Sequence, residues 1–227
     1  GANTAADTRD LDERRSRITA GGNPVRNSDF AIPLRHEFSD LAANSLPGWI
    51  IQSPSDYSAF SITEDSELFG AAYLTATLTS VSSSSYLHTA NFAGSQDVTK
   101  LISSGEVLLL SVYADTYEGW HIQVVWIDGV SPVLVEPILR RVPNDTNGKG
   151  WQRCYAVTRA PANTLYAILR IKFDATGTYK FDAVKAEIAS NLTSRPTPYV
   201  REAYWGVDPL SLLPGALRIR PDGEAEH

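Results

Sequence analysis

A chain of 227 residues, 43% apolar and 20% charged, can bury the core of one main domain and still carry extensions. Its net charge of −6 offers no basic field to phosphate backbones or to an anionic membrane surface, and no apolar run approaches the roughly 20 residues that cross a bilayer, so neither nucleic acid nor a membrane span is expected. A lone cysteine, Cys154, excludes an intrachain disulfide framework and a cysteine-based metal cluster, and between Trp151, Tyr155 and Val157 it reads as a small buried hydrophobe on a strand.

Residues 1–22 are polar and charged, hold one large apolar side chain in the run Asp7 to Arg17, and close on Gly21-Gly22. Alone they cannot bury enough surface to offset their ordering entropy, so they are expected to act as an arm. Gly1-Ala2-Asn3-Thr4 lacks the basic and apolar regions of a secretory signal, and the expectation is a soluble chain.

The stretch 23–200 reads as the domain. Thr75 to Ser85 suggests a strand running into a polar loop, and Val107 to Val112 is so nearly continuous in apolar residues that a central strand covered on both faces is predicted. Trp120, Ile122, Val124 and Trp126 form one face of a half-buried strand, which Asp128-Gly129 ends in a turn. Leu165, Ala167, Leu169, Ile171 and Phe173 form another, alternating with Tyr166, Ile168, Arg170, Lys172 and Asp174 until Gly177 turns the chain. Turn residues at short intervals and the absence of an amphipathic helical pattern longer than two turns point to an all-β fold of two packed sheets. From 201 to 227, prolines at 209, 214 and 221 forbid a continuous helix. Trp205, Leu212 and Leu213 either fold back over the domain or form a second arm that docks on a neighbour.

Several short phrases recur in a telling order: Asn27, Asp29 and Phe30 with Pro47-Gly48-Trp49, then Gln96-Asp97-Val98-Thr99, Trp151 with Arg153, Ala160-Pro161, and Phe181-Asp182 with Val184, Glu187 and Pro198-Tyr199. Together they resemble the galactose-binding-like, carbohydrate-binding-module type of β-jelly-roll, a two-sheet antiparallel sandwich. The resemblance covers most of the chain. Such domains occur as sugar-binding modules of secreted polysaccharide enzymes and in tail, fibre and capsid-surface proteins of tailed bacteriophages. It makes Trp49 and Trp151 packing anchors. It also implies a structural calcium between the first and last strands, held through Asp29 and Asp182. Ala31 stands where a ligand glutamate is common, and the alternative is that Asp29 accepts backbone hydrogen bonds while Asp182 pairs with a base.

A glycan site needs aromatic faces to stack on a pyranose and flanking polar groups for its hydroxyls. Trp120, Tyr117 and Tyr86 are the candidate rings, with His121, Gln123 and Asp115 as polar partners, although Trp120 also begins an inward-facing alternation. Catalysis finds no support: there is no Gly-x-Ser-x-Gly elbow, no metal-ligating histidine spacing among His36, His88, His121 and His227, and no phosphate-cradling glycine loop. Two roles follow from the resemblance. The first is a non-enzymatic bacteriophage virion protein, made in the host cytoplasm, that displays the jelly-roll, assembles as a homo-oligomer with other virion subunits through its arms (Arg14, Arg15, Arg17; Trp205, Leu212, Leu213), and binds host polysaccharide. The alternative is a carbohydrate-binding module of a secreted polysaccharide-active protein.

Overall fold

The computed structural model of the protein describes residues 25, 28, 30, 49–64, 72–89, 102–128, 131–146, 150–199, 218–219 and 225–226. In chain order its strands are β1 (Trp49–Gln52), β2 (Tyr57–Glu64), β3 (Ala72–Leu78), β4 (Tyr86–Thr89), β5 (Val107–Ala114), β6 (Trp120–Ile127), β7 (Val133–Val135), β8 (Arg140–Thr146), β9 (Gln152–Arg159), β10 (Tyr166–Phe173), β11 (Gly177–Ala189), β12 (Arg218–Ile219) and β13 (Ala225–Glu226). The first eleven build two antiparallel sheets, ordered β1-β4-β10-β6-β7 and β2-β3-β11-β5-β9-β8, while β12 and β13 pair only with each other. The result is an all-β sandwich of jelly-roll type.

Period-two alternation explains why the sheets stack. Ala72, Leu74, Ala76 and Leu78 of β3 point inward, as do Ile122, Val124 and Trp126 of β6 and Leu169, Ile171 and Phe173 of β10, and all are buried in one continuous core. Leu165, just ahead of β10, does not follow its neighbours and is 55% exposed. β5 is buried along its whole length between β11 and β9, as its unbroken apolar run requires. Trp49 closes one end of the core with Phe30 at a ring distance of 5.6 Å. Trp151 anchors a second cluster with Tyr113, Ala183, Tyr73 and Tyr199. Cys154 is fully buried on β9, and burial pushes its thiol up to about 12.

The outer face of the six-stranded sheet is closed by polar bonds instead of apolar packing. Lys185 and Glu187 of β11 and Arg153 of β9 are all buried there. Segment 190–199 lies against them: the Thr197 carbonyl accepts from Arg153 at 2.5 Å, the Pro198 carbonyl accepts from Lys185 at 2.9 Å, and the Thr197 amide donates to Glu187 at 2.9 Å. Tyr199 and Ser28 join their hydroxyls at 2.7 Å, which brings the opening of the domain to the same face.

Between β3 and β4 the chain turns through a serine-rich corner organised by Asp56. Its carboxylate accepts hydroxyl bonds from Ser85 at 2.5 Å, Ser82 at 2.8 Å and Ser80 at 3.1 Å. The bonds from Ser85 and Ser82 hold this carboxyl below the usual carboxylate range against the opposing effect of burial, with Ser80 and the Lys172 charge adding to them. A carboxyl whose folded pKa lies below its unfolded value stabilises the fold above that unfolded value, and the contribution disappears as pH falls through the folded one. Asp56→Asn is therefore expected to lose about 1.5–3 kcal/mol at neutral pH, the range for hydrogen bonds to a charged group. Urea titrations of the two proteins should converge as pH falls beneath the usual carboxylate range and through the lowered folded value, where the wild-type carboxyl takes up its proton. A gap unchanged by acid would show that the serines do not depend on the charge.

Candidate functional site

A void of about 20 Å³ lies between the sheets, lined by apolar side chains that include Trp49, Leu110, Ile122 and Leu169. That is room for a single water and no more. A ligand larger than water is therefore not met in this void.

The outer face of the five-stranded sheet has the chemistry for it. Residues that alternate with the core positions of β1, β4, β10 and β6 fall into register across the strands. One row runs Gln52, Tyr86, Lys172, His121 and the next runs Ile50, His88, Arg170, Gln123. The two rows stand two residues apart along each strand, so their side chains share one face.

Contacts within the rows are specific. The Arg170 guanidinium lies over the Tyr86 ring, 4.1 Å from its centroid, and Tyr86 meets His88 at 5.6 Å between ring centroids. Nδ1 of His88 lies 3.0 Å from the Thr89 carbonyl. Burial lowers the His88 pKa, the carbonyl contact opposes that, and the Arg170 charge lowers it further. On β6, Nδ1 of His121 bonds Oδ2 of Asp174 at 2.6 Å, and Nε2 of Gln123 donates to Oε1 of Glu136 at 2.7 Å. Lys172 Nζ donates to the carbonyls of Ser82 and Phe173 at 2.8 and 2.6 Å, tying the face to the serine corner.

What remains unbonded is as informative as what is bonded. Oε1 of Gln123, Nε2 of His121 and Nε of Arg170 are each buried without a hydrogen-bond partner. Gln123 is only 4% exposed, so its carbonyl oxygen has no easy recourse to bulk water. An orphaned buried polar atom costs about 1–3 kcal/mol and is uncommon in folded proteins. These three come from adjacent positions of two paired strands, and Nε2 of His121 lies 3.8 Å from Oε1 of Glu136.

The residues nominated from sequence divide between this face and other places. Tyr86, His121 and Gln123 come together on it. Trp120 does not: it is 3% exposed in the core, packs edge-on against Phe181 at 5.0 Å, and donates Nε1 to the Thr116 carbonyl at 2.8 Å. Tyr117 is half-buried, with Arg141 over its ring at 4.1 Å and its hydroxyl bonded to the Leu139 carbonyl. Asp115 is spent on structure, accepting the Lys180 amide at 3.0 Å to join the end of β5 to β11. Arg170, His88, Glu136 and Asp174 belong to the face and were not nominated, although the outward positions of Arg170 and Asp174 follow from the β10 alternation.

Asp182 sits at a β-bulge in β11, is 3% exposed, and accepts the Ala183 amide on Oδ1 at 2.5 Å. Asp29, its expected companion in a calcium site, lies outside the described residues, as do Arg14, Arg15, Arg17, Trp205, Leu212 and Leu213. Among the described residues no three acidic, histidine or cysteine side chains gather in a way that could hold a metal, so the calcium reading gains nothing from this end of the site. No helix among them is long and apolar enough to cross a membrane.

No protein-family profile matches the chain. No curated protein matches it either. Solved structures do. The module pair of Clostridium thermocellum endo-1,4-beta-D-xylanase 10B, complexed with xylohexaose, aligns over 74% of this chain and 28% of its own, at 15% identity and a TM-score of 0.46. The xylan-binding domain of Paenibacillus barcinonensis Xyn10C aligns over 62% and 85%, at 15% identity and a TM-score of 0.44. Tailspike protein 4 of bacteriophage CBA120 aligns over 74% and 21%, at 11% identity and a TM-score of 0.45. This chain thus spans less than a third of the xylanase and tailspike chains. At such scores and identities none of the likenesses transfers a ligand or a role to it.

Proposed function

We propose that this protein is a non-catalytic carbohydrate-binding module that takes an oligosaccharide across the outer face of its five-stranded sheet. The observation that carries this reading is the pair of outward rows on β4, β10 and β6, in which the polar side chains of His88, Arg170, Gln123 and His121 stand in register beside the half-buried Tyr86 ring. Sugar hydroxyls meet polar side chains while a pyranose C–H face stacks on an aromatic ring; these rows supply the polar groups, and Tyr86, which carries the Arg170 guanidinium over its ring, supplies the aromatic one. The amide of Gln123, held at one end by Glu136, is fixed in orientation before a ligand arrives, so little rotamer entropy is lost on binding.

The bacteriophage virion role draws on residues 1–22 and 201–227, nearly all outside the described residues, so the sheet face leads. Host-polysaccharide binding by a virion protein would use the same face.

Glycan-array screening of the full chain beside Tyr86→Ala tests the reading. The wild type should bind at least one class of soluble oligosaccharide, and the variant should bind it about tenfold or more weakly, since truncating a Tyr anchor at a contact commonly costs more than 1 kcal/mol. A folded Tyr86→Ala protein with unchanged glycan affinity would remove the face from consideration.

A further inference from the structure

Within the glycan-binding face proposed above, and resting on that proposal, we infer that Arg170 is an anchor for a carboxylate and that the sugar bound is acidic, an oligosaccharide containing uronate residues.

Charge accounting across the two rows singles Arg170 out. The carboxylates at this edge are already engaged: Asp174 with His121 at 2.6 Å, and Glu136 with Gln123 at 2.7 Å. Lys172 donates to two carbonyls, and its charge is felt by the Asp56 carboxylate in the serine corner. His88 is driven toward its neutral form by burial and by Arg170 itself. Among the described residues no carboxylate pairs with the Arg170 guanidinium, and its Nε is buried with no hydrogen-bond partner. Among the described residues, that leaves a cation without a counter-ion in the middle of the candidate face.

Geometry adds to the charge. Stacking on Tyr86 at 4.1 Å restrains the guanidinium plane, and a restrained fork donates two parallel N–H bonds to a planar carboxylate in a way that a lysine ammonium cannot. Next to it in register stands Gln123, whose amide nitrogen donates to Glu136. A uronate carries on one ring both a carboxylate for the arginine fork and hydroxyls for the polar side chains around it. A neutral sugar would leave the cation unanswered.

The test is calorimetric titration of the full chain with oligogalacturonate and oligoguluronate, each beside its carboxyl-reduced neutral counterpart and a sulfated neutral oligosaccharide. At least one uronate series should bind tenfold or more tightly than its reduced partner, with an advantage that shrinks at high salt. Arg170→Gln should bring the ratio of the two affinities to about one while weak binding of the reduced form persists, and Arg170→Lys should restore only part of the preference. Circular dichroism of both variants checks that they fold. Equal or tighter binding of the neutral forms would overturn the acidic-sugar inference and leave the glycan face standing. Preference for the sulfated ligand alone would overturn the carboxylate assignment. Failure of every oligosaccharide, neutral ones included, would instead bring down the underlying proposal.

Discussion

Glu187→Ala is expected to destabilise the fold by about 3–5 kcal/mol, the cost of stripping the counter-ion from a buried charge. Lys185 is fully buried, and Glu187 Oε2 sits 3.2 Å from its ammonium. Burial lowers the Lys185 pKa while Glu187 supports its charged form and nearby Arg153 works against it, so the carboxylate is the element that makes a buried lysine tolerable here. The same carboxylate accepts the Thr197 amide at 2.9 Å and its hydroxyl at 2.5 Å, so its loss also releases segment 190–199 from the sheet. Urea unfolding should show the midpoint drop with the slope unchanged. In the double variant Lys185→Met with Glu187→Leu part of the loss should return, because apolar residues of similar volume often replace a buried ion pair at little cost. A single-variant loss under 1 kcal/mol would mean that water reaches this cluster.

Trp120→Ala should cost about 3–5 kcal/mol as well, through a cavity in the core. The ring contacts Phe181 edge-on at 5.0 Å, a pair worth about 0.5–1.5 kcal/mol beyond its buried area. Tyr86→Ala, at a half-buried position on the outer face, should change stability by less than about 1 kcal/mol. The two substitutions are thus expected to separate cleanly: one weakens the fold and the other weakens binding. Thermal unfolding of both proteins, read beside their glycan affinities, checks this. If Trp120→Ala kept full stability and lost binding, the ring would have to turn outward in solution.

This contrast shows where the sequence was readable. Period-two patterns are reliable when one face is dry, and the inward positions of β10 follow from one, while the nearly unbroken apolar run Val107 to Val112 marks a strand covered on both faces. β8 was harder to see. Its run Arg140 to Thr146 is mostly exposed, contains Pro143, and pairs irregularly with β9, which an edge strand tolerates and an alternation test cannot detect. The site was half legible for a related reason. Residue type alone suggested Tyr86, His121 and Gln123, but the same criterion drew in Trp120, whose neighbours in the strand already pointed it inward. Arg170 reads from sequence as one more outward charge. Its importance lies in what faces it, and that depends on the pairing of β10 with β4 and β6, which no local pattern encodes.

The measurement that tests the central claim most directly is a two-dimensional NMR titration of the full chain with an oligosaccharide selected on the array, following backbone and side-chain signals. The largest shifts are expected on Tyr86, His88, Arg170 and the Gln123 side-chain amide, with the six-stranded sheet unmoved. Shifts centred on Tyr117, Tyr113 or Trp151, with the Gln123 amide unchanged, would contradict it.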